Sequence, residues 1–246
     1  MMTIKNRILS AIAIFVFNFS IAQAQTFDKP TAYVGLNYYY YYEKYNGQDP
    51  LMELESSIPT IIIGYKDETA IRSNNKSDKN LSWSVEGSYG RVNYSQYTGT
   101  GAHTHDYWTV QAEGLYALPN SFYLGLGYRY LYDYLGDAGP GGYDRQQEYL
   151  YIPVGYILNS PDSSFKFQYN HLIMGQNHSD ASNNGSQPAI SPENNKGWGL
   201  ELSYLPSKNS KWEIFGKYWN IDDSKVDKGY LEPQNYTYEI GVKYAF

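Results

Sequence analysis

The last eleven residues constrain the fold more tightly than any other stretch. From Tyr236 to Phe246 every second residue is apolar, with Tyr236, Tyr238, Ile240, Val242, Tyr244 and Phe246 in one row. Thr237, Glu239, Gly241 and Lys243 interleave with them. Strict period two places the two rows on opposite faces of an extended strand. The pattern recurs. Trp83, Val85 and Tyr89 oppose Ser82, Ser84, Glu86 and Ser88, while Phe122, Leu124, Leu126, Tyr128 and Tyr130 oppose Gly125, Gly127 and Arg129. Trp198, Leu200, Leu202 and Tyr204 likewise oppose Gly199, Glu201 and Ser203. Clusters of Gly, Pro, Asn, Asp and Ser separate these runs as turns. Ten strands are predicted, over 32–42, 54–66, 81–94, 106–117, 121–132, 147–158, 164–175, 197–205, 211–221 and 235–246.

Composition narrows the choice of β fold. Mean hydropathy is −0.57 although aromatic residues make up 17% of the chain, with 29 Tyr. A helical membrane protein would be far more apolar. A closed antiparallel up-and-down transmembrane barrel needs both properties, because it alternates lipid-facing with lumen-facing residues and collects Tyr and Trp at the two interfaces. Ten strands are expected, with eight or twelve as alternatives around 51–80. An exported soluble β-sandwich or lipocalin-like barrel also alternates, but turns its apolar face inward.

The first residues read as an export signal. Lys5 and Arg7 are followed by the apolar run Ile8 to Ile21 and by Ala22-Gln23-Ala24, a small-residue cleavage site. The expected division is a signal peptide over 1–24 and a barrel domain over 25–246. The apolar run is shorter than the 18 or so residues a membrane-spanning helix requires. There is no cysteine, which excludes disulfides and thiolate chemistry. A formal charge of −6, more acidic once Lys5 and Arg7 are removed, with no basic block, argues against nucleic acid as a partner.

Connections alternate in length. Those over 43–53, 95–105, 133–146, 176–196 and 222–234 are long, and those over 118–120, 159–163 and 206–210 are short. Short turns on one side and long loops on the other suit an outer-membrane barrel with both termini in the periplasm. The charged stretch 67–80 breaks this rule, as a long connection where a short turn belongs.

With its signal, regular hairpins, Tyr-rich strands and closing segment Tyr236–Phe246, the chain resembles the outer-membrane β-barrel superfamily of Gram-negative bacteria. Small OmpA-type, opacity-type and omptin-like barrels are the nearest in size, and no internal motif separates them. The resemblance implies that Tyr244 and Phe246 form the C-terminal signal read by the barrel-assembly machinery. It also implies contact with outer-membrane lipid and lipopolysaccharide.

Alternation points Glu86, Glu113, Glu201, Glu213 and Glu239 into the lumen, with Arg129, Lys166, Lys217 and Lys243, and with Gln111, Gln168 and Asn170. A lumen of about ten strands is narrow. Paired charges would fill it as a plug; rings of charge around a water path would make a small porin-like channel for ions or polar solutes. His103, His105 and Asp106 are weak metal candidates, lacking a third His or Cys at ligand spacing. At rim level His105, Asp106, Asp133, Asp222 and Asp223 offer a general base of the kind an omptin-like protease uses, without clear paired motifs. No catalytic residue is assigned and no cofactor is expected. Tyr38 to Tyr42 reads as an interface belt, and Pro153 as the mark of a bulge. Polar loops, Asn177 to Lys196 above all, are where an extracellular ligand would bind. The leading expectation is a monomeric surface barrel with a structural, adhesive or ligand-binding role; a narrow channel is the alternative and a rim-site protease the third reading.

Overall fold

The structure is a computed structural model that describes residues 30–45, 48–72, 80–96, 103–138, 142–180, 189–207 and 210–246. The expected export segment 1–24 lies outside them. Strands follow in chain order as β1 (Thr31–Tyr45), β2 (Gln48–Ser56), β3 (Thr60–Asp67), β4 (Leu81–Gln96), β5 (His103–Ala117) and β6 (Phe122–Asp133). Then come β7 (Asp144–Asn159), β8 (Ser164–Asp180), β9 (Glu193–Asn194), β10 (Gly197–Leu205), β11 (Trp212–Ile221) and β12 (Gln234–Ala245). Every neighbouring pair is antiparallel, and the ring closes through β12 on β1 and β10 on β8.

These twelve segments make a barrel of ten strands. β2 and β3 share one lane between β1 and β4, with the break at Ser57–Pro59. β9 continues the lane of β10 beside β8.

One sequence expectation needs correction. Residues 43–53 are not a long connection, because β1 and β2 run on until only residues 46 and 47 lie between them. Alternation explains why: Glu43 keeps the inward parity of Tyr39 and Tyr41 and pairs with Met52. The stretch 67–80, expected as a long connection where a short turn belongs, lies within the described residues only at 67–72 and 80. After β3 it forms a short helix, α1 (Thr69–Arg72), which carries Arg72 into the end of the barrel. Within this connection Glu68 and Arg72 pair with each other inside the barrel.

The outward face is apolar. Ile61, Ile63, Val85, Leu124, Leu126, Val154, Leu158, Phe167 and Leu202 are all exposed. Aromatic girdles bound this band. At the end where β1 begins and β12 ends, the terminal end, lie Tyr65 with Trp83, Phe122 with Tyr156, and Trp212 with Tyr244, at centroid distances of 5.4, 4.9 and 4.8 Å. At the loop end lie Trp108 with Tyr130, Trp198 with Tyr218, and Tyr218 with Tyr238. Phe122 and Tyr130 are eight residues apart on β6; at about 3.3 Å per residue and a tilt of about 40°, that makes a band roughly 20 Å tall. The run Tyr38 to Tyr42 is only half belt: Tyr38, Tyr40 and Tyr42 face outward, whereas Tyr39 and Tyr41 are buried in the lumen.

Glycines inside the barrel make room for rings. A Cβ on Gly127 would meet the Tyr151 ring at 2.3 Å, and one on Gly155 would meet the Tyr123 ring at 2.1 Å. Pro153 interrupts the β6–β7 ladder, which resumes at Leu124↔Val154 and Gly127↔Tyr151. The register shift lies nearby on the other side of β7, where Leu150 pairs with Met174 and Tyr151 with Leu172.

Candidate functional site

The lumen is the candidate site, and its side chains come from every strand lane. Inward positions at the terminal end and the waist carry the carboxylates of Glu68, Glu86, Glu113, Glu201, Glu213 and Glu239. Among them lie the cations Lys66, Arg72, Arg129, Lys166, Lys217 and Lys243. Lys217 and Lys243 both reach Glu86, at 2.7 and 2.5 Å, and the Tyr33 hydroxyl donates to the same carboxylate at 2.8 Å. Lys66 bridges Glu213 and Glu68, at 2.6 and 3.0 Å, and Lys166 bridges Glu68 and Glu201. Glu113 accepts from Gln168, Tyr151 and Gln111. Arg129 lies 3.7 Å from Glu239, which also accepts from Asn37.

Burying a charge is costly unless a partner and hydrogen bonds compensate. Here the opposite charges interleave, and the cavity left among them measures about 20 Å³, lined by Glu86, Gln111, Glu113, Lys166, Glu201, Lys217 and their neighbours. That volume holds about one water.

The structure places all nine sequence-predicted lumen charges on the inner face. It adds Lys66, Glu68 and Arg72. Burial alone would raise the Glu68 carboxyl, but Arg72, Lys66 and Lys166 hold it well below the usual carboxylate range. Arg72 donates to Glu68 at 2.7 Å and to Ser164 and Ser203 across the barrel, so α1 closes the terminal end. Parity in β3 already pointed Lys66 inward. Nothing in the sequence marked Arg72.

A second cluster lies under the loops. Arg145 is fully buried and contacts Glu43 at 2.5 Å, Asp133 at 2.9 Å and Glu232 at 3.4 Å, with its guanidinium over the Tyr41 ring. His105 Nε2 lies 2.5 Å from the other oxygen of Asp133. Beside it Tyr39, Tyr41, Met52, Leu54, Val92, Tyr107, Leu131 and Leu135 form an apolar core. Leu135 belongs to the connection after β6 and dips into the barrel mouth, 3% exposed.

The weak metal candidates do not converge. His105 faces the lumen, His103 is exposed at the start of β5, and Asp106 faces outward, where it accepts from Tyr89 and pairs with Arg91. Adjacent residues on a strand must point to opposite faces. No group of three or more His, Cys, Asp or Glu side chains suited to a metal occurs among the described residues. His178 meets Ser191 at 2.7 Å. Of the rim carboxylates, Asp133 alone meets His105; Asp223 instead accepts from the Gln234 backbone at 2.6 Å, and Asp222 donates its backbone N–H to Lys196. A His–carboxylate pair can act as a general base. In this pair both groups are buried, at 2% and 0% exposure, and Arg145 holds the second Asp133 oxygen.

No protein-family model and no curated protein matches the sequence. Solved structures similar in fold are outer-membrane β-barrels. One is the outer membrane protease OmpT of Escherichia coli, 12% identical over 92% of this chain and 99% of that one, with a TM-score of 0.47. Another is the β domain of the Bordetella autotransporter BrkA, 14% identical over 89% and 100% of the two chains, with a TM-score of 0.47. A third is Ail, the attachment invasion locus protein of Yersinia pestis, 13% identical over 88% and 97%, with a TM-score of 0.33.

Proposed function

We propose that this protein is an outer-membrane barrel that acts at its loop end, in a structural or adhesive role, and does not conduct through its lumen. The observation that carries this reading is the filling of the lumen from both ends. Arg72 enters from the terminal end and Leu135 from the loop end, and the voids among the charges between them are small, of about 20 and 10 Å³.

The apolar band between two aromatic girdles supports residence in a bilayer, with lipid and lipopolysaccharide against the outer face. Both termini then face the periplasm, below a cleaved export signal over 1–24. Phe246 is 65% exposed and stands free for the barrel-assembly machinery, with Tyr244 beside it. A ligand would meet the loop end, where the hairpin Asp227–Tyr230 leaves Val226 and Tyr230 exposed. The barrel acts as a monomer in this reading.

Planar-bilayer recording tests it. The protein is expected to give no steady open steps. Steps that shrink in Glu113→Gln or Arg129→Gln would replace this reading with the porin-like channel. A panel of acidic and basic peptides should survive incubation with the refolded protein; cleavage lost in His105→Ala would establish a rim-site enzyme instead.

A further inference from the structure

The connection 222–233 crosses the loop end and is held at both its outer and its inner side. On the outer side, Lys225 meets Glu193 at 2.7 Å, Asp227 accepts from the Ser191 backbone at 2.8 Å, and Lys228 donates to the Ala189 carbonyl at 2.7 Å. On the inner side, Glu232 turns down into the barrel, 5% exposed. There it shares Nη1 of Arg145 with Glu43, at 3.4 Å against 2.5 Å, and shares the Tyr41 hydroxyl with the same Glu43, at 3.5 Å against 2.6 Å. Asp133 takes the other guanidinium nitrogen. Three buried carboxylates therefore surround a single guanidinium. Two like charges converging on one donor are poorly compensated unless one of them is neutral.

We propose that the connection 222–233 is a proton-dependent latch, which seats over the loop end while the Glu232 carboxyl carries a proton and lifts when the proton is lost. Glu232 is the member able to move, because Glu43, Asp133 and Arg145 are fixed in paired strands. The groups facing it are Tyr41 and Glu43 from β1, with Tyr94 of β4 beside Glu43, and His105 of β5 through Asp133 of β6. Tyr143 and Arg145 border it before and within β7, beside Tyr149 and the neutral amides of Gln147 and Asn177. Burial, with Glu43 next, pushes the Glu232 carboxyl up to about 8. Between its ordinary value of 4.5 and that value the seated form holds one more proton than the lifted form. The ratio of seated to lifted therefore falls up to tenfold for each unit of rising pH.

The chain has no cysteine, so Ser95→Cys and Val226→Cys give two unique positions for spin labels, both on exposed side chains. The distance between labels is read by double electron–electron resonance on the full chain in lipid bilayers at pH 5.5 and 9.5. One short, narrow distance at the lower pH should give way to a longer, broader one at the higher. Glu232→Gln should hold the short distance at both, and Glu43→Gln should reduce the lifting at high pH. A wild-type distance that ignores pH would overturn the proposal, as would a Glu232→Gln protein that opens as the wild type does.

Discussion

The ring of Tyr151 lies across Gly127 so closely that a methyl group on the glycine would fall 2.3 Å from Cε2 and Cζ. The same ring carries the hydroxyl that donates to Glu113 at 2.9 Å. Gly127→Ala must therefore displace both the ring and its hydrogen bond. A loss of about 1–3 kcal/mol is expected for such overpacking. The urea midpoint of refolded protein in lipid would fall with an unchanged slope. An unaltered midpoint would show that the ring can move aside freely.

Arg145 is the sole cation in contact with Glu43, Asp133 and Glu232 among the described residues, His105 aside. Arg145→Leu leaves those carboxylates buried without it. Breaking a buried pair from one side costs about 3–5 kcal/mol. Unfolding followed by tryptophan emission should show a drop of that size, and Arg145→Leu combined with Glu43→Gln should recover part of it.

Leu126 faces outward and is 53% exposed, near the middle of the apolar band. In a bilayer Leu126→Lys is expected to cost about 2–4 kcal/mol. On a soluble barrel the same exposed change would lie within about 0.5 kcal/mol. Stability measured in vesicles separates the two, and a negligible cost would remove the transmembrane reading.

Glu68 gives the terminal end an acid limit. Its carboxyl is held well below 4.5 in the folded state, so its stabilising contribution is complete above that value and is lost as pH falls through the folded one. Unfolding midpoints between pH 6 and pH 3 should drop in the wild type and drop less steeply in Glu68→Gln. Parallel curves would show that Glu68 does not set this limit.

Period two made the barrel legible, because it reports which face each residue occupies without reference to any partner. It placed Glu86, Lys217 and Lys243 inside, but could not say that two lysines meet one glutamate, since β4 lies far in sequence from β11 and β12. Of the loop-end cluster the sequence marked His105 and Asp133 as rim residues, but not their partners Glu43 and Arg145. These sit where turn-forming composition begins, and that composition hid an alternation that in fact continues: Tyr39, Tyr41 and Glu43 share one parity, as do Arg145, Gln147 and Tyr149. Extending the parity past the first polar residues would have found them. Glu232 and Arg72 belong to irregular connections, where no periodicity exists to read.

The interior charges also fix the size of the ring. Lys66 of β3 meets Glu213 of β11, and Glu86 of β4 meets Lys217 of β11 and Lys243 of β12, so the pairs span the bore as well as neighbouring strands. Barrels change diameter when a hairpin is duplicated or deleted. In this chain an added hairpin would draw those partners apart and leave each ion stranded in a widened bore, while a lost one would crowd like charges together. The pairing across the bore thus ties the charge pattern of the interior to this number of strands.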